Sequence, residues 1–525
     1  MIMQRQHRAG SRAFALAACM GLSALYAQTV VKPIPGDPVK MESGLIAGKL
    51  LPNGVKQYLG VPYGAPPVGP LRWREPQPVK AWEGVYHADR FGPKCPQTAD
   101  LTPEAMSEDC LYLNIWAPAT AKPNAKLPVI LYFHGGGASG NSGARPFYSG
   151  QTLATKGVIH ITMNFRLGVF AEFASPELTA ESPHHSSGNY VRFDQLAAME
   201  WVKRNIAAFG GDPGNVTLMG LSNGGVAVGY HQASAVTRGL YQRVIALSGA
   251  SISSTPATLK ESEEAGLKYQ AAVGAKSLAE MRALPMVQLL QPVPGATLRA
   301  AGIDGYFLTE SPGKVFAAGK QVDVPAIFGN ARDEGAIAGV KTVAEFRAAV
   351  TKAAGAKADE IFRLFPVSRD EDVPAVATRV ANAAGAARQM LTWARAQAAT
   401  GKSPVYMDVF ARGSATHGSD LPYWFDVLDL PGALADPTRP IDAVDRDVAV
   451  KMDDAIVAFV KTGDPSTKTV KWPKYTRADE VRLEFGDVVK AVPADAGVKF
   501  FVENPDIRIG GLGGAPIAGG RTGPL

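Results

Sequence analysis

Cysteine is scarce in this chain of 525 residues, with three in all. Cys19 lies in an N-terminal apolar run, which leaves Cys95 and Cys110 as a single pair. A bridge between them closes a loop worth roughly 3 kcal/mol in the chain-entropy model, so it is expected to fix a local loop and not to hold the fold together. An excess of charge is missing too. The 54 basic and 48 acidic residues nearly balance, and Arg5, Arg8 and Arg12 belong to the N-terminal segment, which leaves 51 against 48. Nothing in that balance implies a polyanionic partner, and no basic patch with interleaved aromatics argues for nucleic-acid binding. After residue 27 no apolar run is long enough to span a bilayer. There is no internal repeat, and 55 glycines with 39 prolines do not amount to low complexity.

What is present starts with that N-terminal segment. Its arginines precede the apolar run AFALAACMGLSALYA with no acidic residue, the pattern of a secretory signal peptide. Small Ala27 suits cleavage, giving residues 1–27 as the signal and 28–509 as one domain. LAAC (Leu16 to Cys19) also resembles a lipoprotein signal, but the apolar run continues past Cys19, which favours a secreted or periplasmic protein without stable membrane insertion. In an oxidising compartment Cys95 and Cys110 are expected to be bridged. From Gly510 to Leu525 the glycine-rich end has almost nothing to pack and reads as a disordered tail.

Within the domain, short apolar runs are bounded by turn residues: Leu127 to Phe133, Gly157 to Phe165, Asn215 to Gly220, Arg243 to Gly249, Val324 to Asn330 and Pro404 to Phe410. They read as strands buried on both faces. Between them run helical patterns such as DQLAAMEWVKRNIAAF, where Met199, Val202, Ile206 and Phe209 recur every three or four residues. The alternation implies an α/β fold with a mostly parallel sheet between helices.

GLSNGG, Gly220 to Gly225, follows the run NVTLMG and opens a helical stretch. That strand-turn-helix setting is what a nucleophile elbow requires, with Ser222 strained at the turn and Gly220 and Gly224 small enough for its neighbours. HGGG, His134 to Gly137, follows another buried strand. The N–H groups of Gly136, Gly137 and Asn223 are therefore candidate donors to an oxyanion. An acid and a base must come later in the chain. ARDEG offers Asp333 and Glu334, and ATHGSD offers His417, both just beyond predicted strand ends. The adjacent His184 and His185 lack a third ligand at metal-binding spacing, so no metal is expected.

These residues resemble the type-B carboxylesterase family, α/β-hydrolases that include bacterial para-nitrobenzyl esterases and cholinesterases. GVPYGAPPVGPLRW, EDCLYLNIWAP, FGGDPGNVTLMGLSNGG, SGNY before DQ, DGYFL and KTGDP carry the likeness through nearly the whole mature chain. The resemblance implies Ser222 as nucleophile, Glu334 and not Asp333 as the acid, and His417 as the base. It also implies oxyanion donors at Gly136, Gly137 and Asn223, a Cys95–Cys110 disulfide, no cofactor, and a small-molecule ester as substrate.

The chain departs from the family near the nucleophile. Leu221 stands where the family usually has an acid, Asn223 where it has alanine, Ala138 where it has an aromatic and Arg192 where it has an apolar residue. These make Ala138, Arg192 and Leu221 pocket candidates; Arg145 and Arg192 either face an acidic or strongly polar ester or, the expectation favoured by the usual exposure of arginine, are surface or structural ion-pair residues. The missing acid at 221 is expected to lower the His417 pKa. The loop CPQTADLTPEAMSEDC holds no aromatic for a quaternary ammonium, which disfavours choline esters. Amide or thioester hydrolysis on the same triad, and a noncatalytic binding role, are the rival expectations.

Overall fold

Eleven strands form the main sheet of the computed structural model, which describes residues 33–511 apart from 100, 101, 103, 138 and 139. In chain order they are β1 (Lys49–Leu50), β2 (Val55–Pro62), β3 (Tyr112–Pro118), β4 (Leu127–Phe133), β5 (Ile159–Met163), β6 (Gly211–Leu221), β7 (Arg243–Leu247), β8 (Ala326–Ala331), β9 (Val405–Phe410), β10 (Val481–Phe485) and β11 (Val489–Pro493). Their spatial order is β11-β10-β9-β8-β7-β6-β4-β5-β3-β2-β1. From β5 across to β10 every pairing is parallel, and the outer strands are antiparallel.

The near-continuous apolar strands follow from burial on both faces. On β4, Val129, Leu131 and Phe133 enter one core cluster while Ile130 and Tyr132 enter another. On β7, Val244 and Ala246 join the first and Ile245 and Leu247 the second. Helix α1 (Tyr190–Asn205) and α2 (Asn223–Ala233) contribute Met199, Val202, Ala227 and Val228 to the first core. Two later helices divide between the faces: α3 (Ala386–Thr400) supplies Met390 and Trp393 to the first core, and α4 (Ala443–Thr462) supplies Met452 and Phe459 to the second. The architecture is an α/β-hydrolase fold.

The chain crosses over where β4 lies between β5 and β6. Such a switch point opens a crevice at the carboxyl ends of the strands. The HGGG loop leaves β4 there and the GLSNGG turn leaves β6 beside it.

The expected strand at 127–133 has the same bounds in the structure, and the others differ by a few residues at their ends. The expected signal peptide lies outside the described residues. At the other end, Gly511 pairs with Ala336 and a Cβ on Gly510 would lie 2.6 Å from the Ala381 Cβ. The packed chain therefore runs two residues beyond the expected domain end at residue 509. The remainder, 512–525, is outside the described residues.

Candidate active site

Ser222 has φ 59°, a left-handed conformation that a non-glycine residue adopts only under constraint. The constraint is visible on both sides. The Ser222 N–H donates to the Leu247 carbonyl at 2.8 Å, and its carbonyl accepts from Val226 at 3.0 Å in the first turn of α2. A Cβ on Gly220 would lie 2.3 Å from the Gly224 backbone, and one on Gly224 would lie 2.0 Å from the Phe133 carbonyl. Only glycine permits strand, turn and helix to approach this closely.

Ser222 caps α2, so the Asn223 N–H at the first helical position has no intrahelical acceptor. The Asn223 side chain donates to the Gly137 carbonyl at 3.4 Å, joining the elbow to the HGGG loop. Gly136 and Gly137 have φ 106° and 62°, and a Cβ on Gly135 would lie 3.0 Å from that of Ser222. His134 is buried, stacks on Phe165 at 4.1 Å and meets the Gly135 carbonyl through Nδ1 at 2.8 Å. Burial pushes its pKa down to about 4, so it is a neutral wedge beneath the loop.

Glu334 follows β8 and His417 follows β9, and the His417 Nδ1–H donates to Glu334 Oε2 at 2.7 Å. The other carboxylate oxygen accepts from the Ala331 N–H at 2.6 Å and from the Ser248 hydroxyl. Ser248 itself stands at the end of β7 with φ 50° and donates its N–H to Gly329 at 2.8 Å. Adjacent strands thus supply the serine, the carboxylate with its support, and the imidazole. Asp333 is engaged elsewhere, in a bidentate pair with Arg332 at 2.7 and 2.9 Å and accepting from the Ala415 N–H at 3.3 Å.

Burial opposes a charged His417, but the Glu334 hydrogen bond and charge, with the Asp420 charge, more than offset it and the pKa is raised. Leu221 is buried in the second core, and a Cβ on Gly418 would touch its side chain at 3.4 Å. Asp420, three residues after His417, contributes to that rise when it is ionised. It is itself fully buried, and burial together with the Glu334 charge pushes its pKa up to about 7.

A model of the carboxylesterase family matches residues 36–400 and 384–499. The chain belongs to the carboxylesterase family. It is 36% identical over 477 residues to a fumonisin B1 esterase of Sphingopyxis macrogoltabida, covering 85% of this chain and 86% of that one. It is 32% identical over 459 residues to a para-nitrobenzyl esterase of Bacillus subtilis (strain 168), covering 81% and 89%. A solved para-nitrobenzyl esterase superposes with a TM-score of 0.76 at 29% identity, covering 89% of this chain and 99% of that one.

In this carboxylesterase the pocket candidates have separate fates. Arg192 is buried on α1, 4.5 Å over the Tyr230 ring, and donates to Gln195 Oε1 at 3.1 Å. Tyr230 lies eight residues along α2 from Ser222, about 12 Å by helical rise, so Arg192 braces the far end of that helix. Arg145 lies over Phe147 at 5.5 Å and Tyr148 at 6.0 Å. Ala138 is outside the described residues. Cys95 and Cys110 form the disulfide, with Cα atoms 5.0 Å apart. His184 bonds Glu75 at 2.8 Å and stacks on Tyr306 at 3.7 Å. Among the described residues no three His, Cys, Asp or Glu side chains group as metal ligands, and no helix is long and apolar enough to cross a membrane.

Sequence reasoning missed Ser248 and Asp420. Ser248 follows the apolar residues of RVIALSG, and Asp420 stands three residues after His417. Both signals were in plain view but carry no motif of their own.

Proposed function

We propose that this carboxylesterase works as a serine esterase through a Ser222–His417–Glu334 triad. The observations that carry the reading are the strained Ser222 elbow, an imidazole that already donates its Nδ1–H to a buried carboxylate, and the approach of their sequence neighbours, with a Cβ on Gly418 3.4 Å from the Leu221 side chain. That hydrogen bond leaves His417 Nε2 as the basic nitrogen. It takes the Ser222 proton as Oγ attacks the ester carbonyl, then returns a proton to the departing alcohol. Water releases the acyl group by the same roles reversed. Glu334 orients the ring and stabilises its charged form.

The developing oxyanion falls to the N–H groups of Gly136, Gly137 and Asn223. Donors fixed before reaction cost no reorganisation when charge develops, and removing one typically costs about 10²–10³ in rate. The substrate is a small-molecule ester, and the chemistry is complete with the chain's own side chains.

Maturation belongs to the same proposal. Residues 1–27 act as the export signal and the disulfide closes after export. An intact mass beginning at Gln28 checks this, and a lipidated Cys19 would overturn it.

The deciding experiment compares the mature wild type with Ser222→Ala on short-chain and medium-chain para-nitrophenyl esters. Turnover should fall by at least about 10³-fold in the variant. A variant that keeps wild-type turnover removes Ser222 from the mechanism.

A further inference from the structure

The HGGG loop presents an unsolved mechanical problem. Residues 135–143 read GGGASGNSG, five glycines in nine, the composition with most backbone freedom to lose. Donors aimed at an oxyanion must be held before the charge appears. Something outside the loop has to hold it, and the hydrogen bonds identify what does.

Gln97 lies two residues after Cys95 and is 3% exposed. Its Oε1 accepts from the Asn141 N–H at 2.7 Å, and its Nε2 donates to the Asn141 carbonyl at 3.0 Å. The second Nε2 hydrogen goes to the Cys95 carbonyl at 2.9 Å. One buried side-chain amide therefore grips both backbone groups of Asn141 in the way a neighbouring strand would, and ties them to the disulfide.

The grip reaches the donors through contacts between glycines. Gly140, next to Asn141, donates its N–H to the Gly136 carbonyl at 3.4 Å. A Cβ on Gly136 would lie 1.8 Å from the Gly140 carbonyl, so moving one displaces the other. A Cβ on Gly140 would lie 2.6 Å from Gln97 Oε1, so glycine at 140 is what admits the amide. A second belt runs alongside. Ser142 Oγ bonds Glu104 Oε2 at 3.1 Å and Thr102 Oγ1 at 3.3 Å, from the same disulfide-closed segment. Asn141 Nδ2 donates to the Tyr148 hydroxyl at 2.8 Å.

We propose that Gln97 is a positioning residue for ester hydrolysis, holding the Gly136–Gly137 donors in place through its clasp on Asn141. The proposal rests on the reading of those glycines as the oxyanion site. It gives the segment between Cys95 and Cys110 a mechanical part in the reaction, with the disulfide as the anchor of the clasp.

Gln97 touches neither the substrate nor the triad, which sets its signature. Gln97→Ala should lower kcat on para-nitrophenyl butyrate roughly tenfold to hundredfold, approaching the loss of a full oxyanion donor. KM should stay within about threefold, because ground-state binding does not use these donors. The acid limb of the pH–rate profile should not move, since His417 and Glu334 are untouched. Labelling of Ser222 by a fluorophosphonate, which also builds negative charge on oxygen, should slow in parallel. Gln97→Glu keeps an acceptor for the Asn141 N–H but loses both donors, and should fall between the two. It also serves if the alanine variant does not fold.

A folded variant with kcat and labelling rate within twofold of wild type overturns the proposal, as does a loss of rate accompanied by a shifted acid limb. Failure of the underlying reading looks different. In that case wild-type protein itself shows no labelling at Ser222, and the positioning role falls with the serine mechanism.

Discussion

Glu334 is 1% exposed, and its oxygens divide their work between His417 on one side and Ser248 with Ala331 on the other. A buried carboxylate is stable in place only when its lone pairs are occupied. Removing the Ser248 hydroxyl leaves the Ala331 N–H as the sole bond on Oε1 among the described residues. A hydrogen bond to a charged group contributes about 1.5–3 kcal/mol, and part of that loss reaches the rate through a misdirected imidazole. Ser248→Ala is therefore expected to lower kcat/KM roughly tenfold, read by steady-state assay beside a wild-type control. The raised His417 pKa gives a second expectation at this scale. A general base must be deprotonated, so kcat/KM should rise with pH through a midpoint above about 6.5, the ordinary histidine value. Asp420→Asn removes a negative neighbour and should move that midpoint down. An unmoved acid limb would show that the Asp420 charge does not reach the ring.

At the scale of elements, the elbow is where strand, turn and helix compete for the same space. Gly224→Ala places a methyl carbon about 2.0 Å from the Phe133 carbonyl, and that carbonyl belongs to a central strand that cannot step aside. The expected cost is about 3 kcal/mol, the upper end for overpacking, seen as a lower denaturation midpoint at unchanged slope. A neutral substitution would mean that β4 and β6 can separate. The same crowding explains why this part was legible in the sequence. GLSNGG needs glycine at fixed offsets, and LPVILYF needs apolar side chains on both faces, so backbone demands are written directly as residue types. Glu334 and His417 were legible only as residues beyond strand ends, with Asp333 separable from Glu334 by family likeness alone. Arg192 became a pocket candidate because it departs from the family's usual residue, and such a departure does not say which end of the neighbouring helix the side chain meets. Asp420 was missed for a similar reason: its charge reaches His417 through the folding of one turn, which no local pattern records.

For the molecule as a whole, two buried aspartates behind the triad and three buried histidines set opposing pH dependences. Asp408, on β9, has neither oxygen hydrogen-bonded among the described residues. Burial and then the Asp420 charge raise its pKa well above the ordinary value, with Arg482 opposing. In the unfolded chain an aspartate titrates near 4. Where the folded pKa is raised, the folded state binds more protons, so the contribution to stability is complete below about 4 and is lost as pH rises through the folded pKa. Asp420, pushed up to about 7, behaves in the same way. His134 and His160, pushed down to about 4 and about 3, and His231, pushed well below its ordinary value, have the reverse sign and weaken the fold as pH falls below about 6.5. The wild-type curve sums contributions of both signs, so a difference between variants is the informative measurement. Asp408→Asn keeps the shape, which matters because a Cβ on Gly329 would lie within 2.2 Å of Asp408 Oδ1, and it abolishes the titration. Its melting temperature should exceed that of wild type by about 2 °C or more at pH 8. The gain should shrink toward zero below about pH 3, where wild-type Asp408 is protonated in both states. An equal shift at both pH values would assign the effect to packing, and a loss at pH 8 would mean that the Asp408 carboxylate is ionised and compensated in the folded protein.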